Sequence, residues 1–346
     1  MKAAILREVN APLSVEEVGL TPLDFGQVLV RVLASGICGA QLSEIRGEKG
    51  NERFLPHLLG HEGCGIVDDI GVGVSRVKAG DKVVMHWRKA GGIESPLPGY
   101  RFAGAVRPSG RVTTFSEMSI CSENRLTPVP LDTPRELCAL LGCGLSTALA
   151  TIERDAAVRF GESVMIIGLG GLGVNLLRAA RLAHASPIVC VDVHESKREV
   201  AESMGAEFIN AKTGNFRSGL EAAGCACGCD VVIETSGNAD AITRAVPFVA
   251  PSGRFVMVGQ PAPGASVSLT NANHFFAGDG KALFATQGGG FRPDDDIPRY
   301  LRLWKSGSLK IEGLVTHRVS LENINAGLDL VRAGEASRVL VDIAQR

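Results

Sequence analysis

The sequence has little of three things: charge of one sign, large aromatic side chains and long hydrophobic runs. Its 36 Lys and Arg residues nearly balance 37 Asp and Glu residues, and a net charge of −1 gives no electrostatic reason to bind nucleic acid or an anionic membrane. Two Trp and two Tyr residues are too few for an aromatic platform on which bases stack. No apolar stretch reaches the roughly 18 residues of a spanning helix without glycine or charge. We therefore expect no nucleic-acid partner and no membrane partner.

An export signal is also missing from the sequence. The apolar run in MKAAILREVN is too short for a signal peptide, so we expect a cytoplasmic protein. Nine cysteines are an odd number, and they lack the rhythm of an extracellular disulfide framework. Thiols stay reduced in the cytoplasm, so these cysteines are free to be metal ligands or core residues.

The most informative segment is a glycine-rich turn between the apolar run VMII and the helical-looking stretch NLLRAARLA. Gly168 allows a tight turn, Gly170 lets a pyrophosphate approach the backbone, and Gly173 lets helix and strand pack closely. Gly171 and Leu172 begin the helix, whose free N–H groups face the phosphates. The segment predicts a dinucleotide site. The alternative is an α/β domain whose glycines serve packing alone.

An acid follows this turn at the distance expected for ribose recognition. The apolar run IVCV ends in Asp192, nineteen residues past Gly173. A carboxylate there accepts hydrogen bonds from the adenosine ribose and repels a 2′-phosphate, which predicts NAD rather than NADP. Lys197 lies five residues further on, where it either covers the adenine ribose or is a solvated helix lysine.

The hydrophobic pattern divides the chain into three regions. Residues 1–144 are β-rich, with short Val, Ile and Leu runs separated by Gly, Pro and Asp. Residues 145–290 alternate strands with helices, which is typical of a doubly wound parallel sheet. Residues 291–346 hold two helix-like runs and a closing strand, RVLVD. Because that strand has no core of its own, we expect the tail to pack back onto the N-terminal half.

Three segments of the N-terminal half carry metal-binding side chains. Cys38 follows a predicted strand, His61 and Glu62 lie in LLGHEGCG, and Cys143 lies in LLGCGLSTA. Two cysteines and one histidine with an open fourth position form a catalytic zinc set. Spacing alone does not show that the residues meet, and each taken singly has an ordinary alternative as a core residue.

Several short sequence motifs occur in an order that resembles a known protein family. SGICG, LLGHEGCGIV, VKAGDKVV, LLGCGLSTA, the glycine turn and SRVLVDI follow one another as in the zinc-dependent medium-chain alcohol dehydrogenases, over essentially the whole chain. The resemblance implies an α/β protein with a GroES-like β-rich catalytic domain (1–144), a Rossmann doubly wound parallel-sheet domain (145–290) and a C-terminal segment (291–346) returning to the first. It also implies one catalytic zinc per chain, NAD, and a homodimer or homotetramer.

The same resemblance implies roles for individual residues. Cys38, His61 and Cys143 match the zinc ligands, and Glu62 matches the acid beside the metal, which is an occasional ligand. The implied cofactor contacts are Thr147 near the nicotinamide, Asp192 and Lys197 at the ribose, and Arg338 at the pyrophosphate. The implied reaction is hydride transfer between an alcohol and NAD, giving a ketone or aldehyde, with zinc as a Lewis acid.

The chain departs from the family pattern in two places. Residues 86–118, the lobe where many members bind a structural zinc, contain no cysteine, so we expect no structural zinc. We expect packing to hold this lobe, through Trp87, Tyr100, Phe102 and Phe115. Ala40 stands where the family usually has Ser or Thr and carries no proton, which leaves Ser43, His57 and bound water as candidates for the proton relay.

Two alternative functions stay open at this level. A zinc-free quinone or enone reductase shares the fold but typically lacks the three metal ligands. A catalytically silent NAD-binding redox sensor would use the cysteine-rich turn, Cys225, Cys227 and Cys229. The substrate is the least defined feature; the polar lobe and Ala40 favour a polyol, cyclitol or sugar-like secondary alcohol.

Overall fold

The computed structural model describes residues 1–50 and 54–343, and its chain divides into two units. The first unit contains the residues up to Ser146 together with those from Arg292 onward, and the second is Thr147–Phe291. The domain boundaries at 144/145 and 290/291 stay predictions beside these two units.

The strands, in chain order, are β1 (Lys2–Leu6), β2 (Ser14–Glu17), β3 (Gly19–Leu20), β4 (Gln27–Ile37), β5 (His57–Leu58), β6 (Glu62–Ile70), β7 (Lys82–His86), β8 (Gly99–Phe102), β9 (Ala105–Pro108), β10 (Met118–Ser122), β11 (Leu126–Val129), β12 (Val164–Ile167), β13 (Ile188–Asp192), β14 (Glu207–Asn210), β15 (Cys229–Glu234), β16 (Val249–Met257), β17 (Ala282–Ala285), β18 (His317–Ser320) and β19 (Val339–Asp342). The helices are α1 (Gly39–Ile45), α2 (Arg135–Leu141), α3 (Gly144–Ala150), α4 (Gly171–Leu182), α5 (Arg198–Ser203), α6 (Phe216–Ala222), α7 (Ala239–Ala245), α8 (Pro293–Lys305) and α9 (Ile324–Arg332).

The first unit is built on β-sheets. Its largest sheet has the order β11-β7-β6-β4-β19-β18, and β10 also pairs with β4. Strand β19 from the tail is antiparallel to β4, with Val339 opposite Ile37. Two smaller sheets, β2-β1-β5 and β3-β8-β9, complete the unit. Valines on one face of β4, Val28, Val30 and Val32, lie in a buried apolar cluster, because alternate residues of a strand share a face.

The second unit contains one parallel sheet with the order β14-β13-β12-β15-β16-β17. Every residue of β12 and β13 is buried, as expected for strands of a parallel sheet that is covered on both faces. Counted from β12, the strand order is that of the dinucleotide-binding fold, and it reverses between β12 and β15. The predicted fold class, a GroES-like β-rich region and a Rossmann doubly wound region, is confirmed.

The helix that the sequence predicts from Leu137 to Ala150 is two helices in the structure. It breaks at Gly142 and Cys143, and the two parts are bent by 59°. A side chain at Gly142 would overlap the carbonyl oxygen of Met85 and lie 2.9 Å from Cα of Glu62. The bend therefore allows close packing on β6 and β7, and it places Cys143 outside both helices.

Other helix limits also differ from the pattern. The apolar pattern predicts a helix from Ile297 to Lys305, but helix α8 begins at Pro293. Proline fits the first turn of a helix, where no intrahelical N–H bond is needed. Among residues 1–50 and 54–343, no single helix has the length and apolar composition to cross a membrane; only the bent pair Arg135–Leu141 and Gly144–Asp155, taken together, reaches these values.

Candidate functional site

Three side chains that are remote in the sequence converge in the first unit. Cys38 follows β4 and precedes α1, His61 immediately precedes β6, and Cys143 lies at the bend between α2 and α3. Strands β4 and β6 are antiparallel neighbours, which brings the first two segments together. The ligand atoms of all three residues lie within 4.8 Å of one another. The structure therefore brings together the ligand set that the sequence predicts.

The donor set fits a catalytic zinc. Two sulfurs and one imidazole nitrogen are zinc ligands, and three protein ligands leave a fourth position for another molecule. All three residues are partly exposed, as an open position requires. Within the described part of the chain, no other group of three His, Cys, Asp or Glu side chains converges in this way.

The two cysteines of this group are joined by a hydrogen bond that moves their pKa values in opposite directions. A hydrogen bond with Cys143 lowers the pKa of Cys38 well below its usual value, and the same contact, together with burial, raises the pKa of Cys143. Metal binding to this pair displaces the protons that remain on the two sulfurs, because the thiolate is the ligand form.

Glu62 lies beside this group, and both of its carboxylate oxygens are engaged. Oε1 accepts a hydrogen bond from Nη1 of Arg338 at 2.6 Å, and Oε2 accepts one from the backbone N of Gly144 at 3.0 Å. Glu62 is fully buried, and burial raises the pKa of its carboxyl while Arg338 opposes that rise. Glu62 is not a member of the convergent group, so its role as an occasional ligand stays a prediction.

Arg338 is held in the interior of the first unit. Only 4% of it is exposed, and its Nη1 also donates to the carbonyl of Ile37 at 3.2 Å. Gly36 and Gly144 make room for the ion pair: a side chain on Gly36 would lie 2.5 Å from Oε1 of Glu62, and one on Gly144 would overlap the guanidinium. The contact of Arg338 with a pyrophosphate stays a prediction, and the structure places its charge against Glu62.

Gln41 is a residue of the site that sequence reasoning missed. Its Oε1 accepts a hydrogen bond from the backbone N of Cys38 at 2.9 Å, and its Nε2 lies 2.5 Å from Nδ1 of His61. Gln41 is the third residue of α1, and a glutamine at that position commonly reaches back to the N–H that precedes the helix. This helix-start pattern could have identified it.

The two side chains predicted for a proton relay lie outside the convergent group. Ser43 is in α1, and its Oγ accepts a hydrogen bond from Nη2 of Arg46 at 3.3 Å. His57 is in β5 and almost fully buried; its Nδ1 donates to the carbonyl of Leu58 at 3.0 Å, and its Nε2 has no hydrogen-bond partner among the described residues. Their relay roles stay predictions.

In the second unit, the glycine-rich turn has the geometry that a dinucleotide needs. Gly168 has φ +88°, a conformation that favours glycine. A side chain at Gly173 would overlap the carbonyl oxygen of Gly168, so helix α4 packs closely on β12. No atom lies within 4 Å of the side-chain position of Gly170, and no side chain caps α4. The free N–H groups of the first turn of α4, which includes Gly171 and Leu172, suit a pyrophosphate.

Asp192 ends β13 beside this turn. Its Oδ2 accepts a hydrogen bond from the backbone N of Leu169 at 2.6 Å, and its Oδ1 accepts one from the backbone N of His194 at 2.9 Å. Lys197 is 5% exposed, so it is not a solvated lysine; burial lowers its pKa, and the charge of Asp192 opposes that shift. Thr147 is buried in α3. The ribose and nicotinamide contacts of these residues stay predictions.

The cysteine-free lobe is held by packing and by ion pairs. Tyr100, Phe102 and Phe115 are buried as expected, and Trp87 is partly buried. Glu94, which no sequence pattern marks, pairs with Arg111 at 2.6 Å and with Arg125 at 3.1 Å. Glu123 is likewise unmarked in the sequence, and its carboxylate accepts hydrogen bonds from three backbone N–H groups, those of Ser75, Arg76 and Ile93.

The cysteine-rich turn of the second unit is arranged differently from the metal centre. Cys225 and Cys229 are buried, and Cys227 is exposed. A hydrogen bond from Cys229 lowers the pKa of Cys225 to about 7. The three do not form a convergent metal-binding group.

Comparison with known proteins gives consistent results. A family model described as an alcohol dehydrogenase GroES-like domain matches residues 24–131, and one described as a zinc-binding dehydrogenase matches residues 171–306. An S-(hydroxymethyl)glutathione dehydrogenase from Paracoccus denitrificans is 29% identical, with 98% of this chain and 99% of that protein covered.

Two solved structures show the same architecture over the full length. A zinc-binding-domain alcohol dehydrogenase from Burkholderia ambifaria has a TM-score of 0.90 and 27% identity, with 99% of each chain covered. A benzyl alcohol dehydrogenase from Acinetobacter calcoaceticus has a TM-score of 0.89 and 26% identity, again with 99% of each chain covered.

Proposed function

We propose a cofactor preference and a substrate class for this chain, which belongs to the zinc-dependent medium-chain alcohol dehydrogenase family. Its chemistry is that of a zinc-dependent alcohol dehydrogenase, which transfers a hydride between an alcohol carbon and a nicotinamide ring. The convergence of Cys38, His61 and Cys143 within 4.8 Å is the observation that carries this function, because a zinc-free reductase has no need of such a set.

The residues of the chain have separate tasks in this reaction. Cys38, His61 and Cys143 would hold the zinc, which would supply a Lewis acid for the substrate oxygen, and the glycine turn would hold the NAD that serves as hydride acceptor. The thiolates of Cys38 and Cys143 balance the charge of the zinc ion, and the His61 imidazole is a neutral third ligand. Arg338 neutralises the Glu62 carboxylate beside them. The uncapped first turn of α4 holds the pyrophosphate, and Asp192 binds the ribose.

The cofactor preference is for NAD over NADP. Two backbone N–H groups hold the Asp192 carboxylate at the end of β13, where it would repel a 2′-phosphate. Asp192→Ala should weaken the binding of NAD and raise the catalytic efficiency with NADP relative to that with NAD. The ratio of the two kcat/KM values measures this change. Glu199→Ala, which removes an exposed acid from α5, is the matched control. An unchanged ratio in Asp192→Ala would contradict the ribose assignment.

The substrate class is a secondary alcohol of the polyol, cyclitol or sugar type. Its support comes from Ala40, two residues after Cys38, which has no hydroxyl where the family usually has Ser or Thr. The polar lobe lends less support than its composition suggested, because Glu94 and Glu123 are occupied by internal partners. Ser43 and His57 stay the side-chain candidates for the proton relay, so Ser43→Ala and His57→Gln should be compared for loss of kcat.

An alcohol panel assayed with NAD tests both the activity and the substrate class. The panel contains polyols, cyclitols, sugars, simple primary alcohols, benzyl alcohol and S-(hydroxymethyl)glutathione, with NADH formation as the readout. We expect the highest kcat/KM for a secondary polyol. Oxidation of primary alcohols alone would contradict the substrate class, and absence of NADH with every alcohol would favour the redox-sensor alternative.

A further inference from the structure

The Gln41 amide contacts two groups of the metal centre at once. Gln41 is fully buried, and an amide carries one acceptor oxygen and one NH2 group. The oxygen accepts from the backbone N–H of Cys38 at 2.9 Å, and the NH2 group lies 2.5 Å from Nδ1 of His61. Both ends of the amide are therefore used, each by a metal ligand.

The Cys38 backbone determines which way the amide is turned. A backbone N–H is always a donor, so it requires the amide oxygen and leaves the NH2 group facing Nδ1 of His61. Nδ1 must then present a lone pair. In a neutral imidazole the proton therefore lies on Nε2, the other ring nitrogen.

Zinc binding requires the opposite tautomer of His61. Nδ1 has no room for a metal beside the Gln41 amide, so Nε2 is the nitrogen that can ligate. A neutral imidazole that ligates through Nε2 carries its proton on Nδ1. Two N–H groups, those of Cys38 and His61, then face a residue with one acceptor. Turning the amide over only exchanges which of the two is unsatisfied.

We propose that Gln41 is a positioning residue that stabilises the tautomer of His61 unable to bind zinc, and that it thereby weakens the zinc affinity of the site. The proposal rests on the proposed function, because it takes zinc as the ion. A carboxylate at this position would accept from both N–H groups, since each of its oxygens is an acceptor. With glutamine, metal occupancy responds to the free zinc concentration.

The first test measures zinc affinity in the full-length chain by competition with a chromophoric chelator. Gln41→Glu should bind zinc about 10- to 100-fold more tightly, the usual scale for partners of a metal-ligating histidine. The added charge is controlled by the double variant Gln41→Glu with Glu44→Gln, which conserves the total charge on α1. Glu44 lies on the same helix and acts on His61 through its charge.

The outcomes of this test are distinct. Tightening in both the single and the double variant supports the proposal. Tightening in the single variant alone overturns it, because charge would then explain the effect, and equal affinity of all three proteins overturns it as well. A wild-type chain that binds no zinc would overturn this proposal and the proposed function together.

The second test observes the tautomer directly. In the metal-free full-length chain with 15N-labelled histidine, the His61 signal is assigned by its absence in His61→Asn. We expect a bare Nδ1 in the wild type and a protonated Nδ1 in Gln41→Glu. A protonated Nδ1 in the wild type would overturn the proposal, since a purely structural role of Gln41 does not select a tautomer.

Discussion

Within the described residues, a group of three ligand-type residues in the first unit and one in the second unit behave in opposite ways. Cys38, His61 and Cys143 are separated by tens of residues, yet their ligand atoms lie within 4.8 Å of one another. The cysteine-rich turn, Cys225, Cys227 and Cys229, spans five residues and forms no convergent group. Proximity in the sequence is therefore a poor guide to a metal site.

The difference lies in what surrounds each group. The first is framed by buried polar partners, in which Glu62 pairs with Arg338 and Gln41 contacts His61. The second lies in a turn with a hydrogen bond from the Gly228 backbone N to the Cys225 carbonyl at 2.9 Å, and its middle thiol is exposed. Fixed partners orient ligands before a metal arrives. In the turn, Cys225 and Cys229 are joined by a hydrogen bond, whereas Cys227 is exposed.

The largest expected effect is on turnover and metal content. Cys38→Ser and His61→Ala should abolish alcohol oxidation and lower bound zinc to well below one per chain, because each removes a ligand. Cys227→Ser, the matched change in the other group, should leave both unchanged. Metal analysis of the wild type should find about one zinc per chain. Two zinc ions per chain would contradict the prediction of a single metal site, and full activity in metal-free protein would contradict the role of zinc in the reaction.

The next effect is on the stability of the first unit. Glu62→Ala should destabilise the metal-free first unit by about 3–5 kcal/mol, because Arg338 would keep a buried charge without a partner. Glu322→Ala, which breaks the exposed pair with Lys2, should cost at most about 1 kcal/mol.

Tryptophan fluorescence during chemical denaturation measures both of these changes, because the two tryptophans of the chain, Trp87 and Trp304, belong to the first unit. A loss in Glu62→Ala no larger than that in Glu322→Ala would show that the buried pair contributes little.

A smaller effect concerns pH and the buried partners of the first unit. Burial lowers the pKa of His86 to about 4, while the unfolded chain titrates near its ordinary value of about 6.5. The unfolded state therefore binds more protons between these values, and stability falls as the pH falls from about 6.5 to 4, by about 3 kcal/mol.

Urea titrations over a series of pH values check this expectation. His86→Gln should flatten the acid slope, and His317→Gln, at a partly exposed site, should not. Equal slopes in the wild type and His86→Gln would contradict the assignment.

The smallest effect concerns the cysteine-rich turn itself. Cys227 should be the first of its three thiols to be alkylated in the native protein, without loss of alcohol oxidation, because it is the exposed one. Labelling of Cys225, once it occurs, should rise through a pH of about 7 and shift towards higher pH in Cys229→Ala, which removes the hydrogen bond that lowers its pKa. Peptide mapping of the label checks both. Inactivation on labelling Cys227 would favour the redox-sensor alternative.

Much of the architecture was predictable because it depends on local pattern. The glycine turn, the buried run VMII and the acid that ends β13 each carry a short-range signal, and the structure places them in one parallel sheet. The order of the short sequence motifs also predicted the family, which the comparisons confirm. Convergence of the three metal ligands was predictable only through that resemblance.

The remainder depends on packing between distant segments. The break at Gly142 is needed because β6 and β7 leave no space for a side chain there, and no helix signal reports this. The pairing of Arg338 with Glu62 joins residues separated by 276 positions. The helix-start pattern marks Gln41 as a capping residue, but its contact with His61 appears only in the folded chain. Each of these features depends on a contact that has no counterpart in local composition.

The position of Arg338 has a consequence for synthesis of the protein on the ribosome. All three metal ligands have been made once residue 143 is translated, but the cation that neutralises Glu62 arrives with residue 338, immediately before β19, which lies in the sheet between β4 and β18. A nascent or prematurely terminated chain thus carries a buried carboxylate without its counterion. The N-terminal region therefore reaches the charge balance of the folded chain only after residue 338 has been translated.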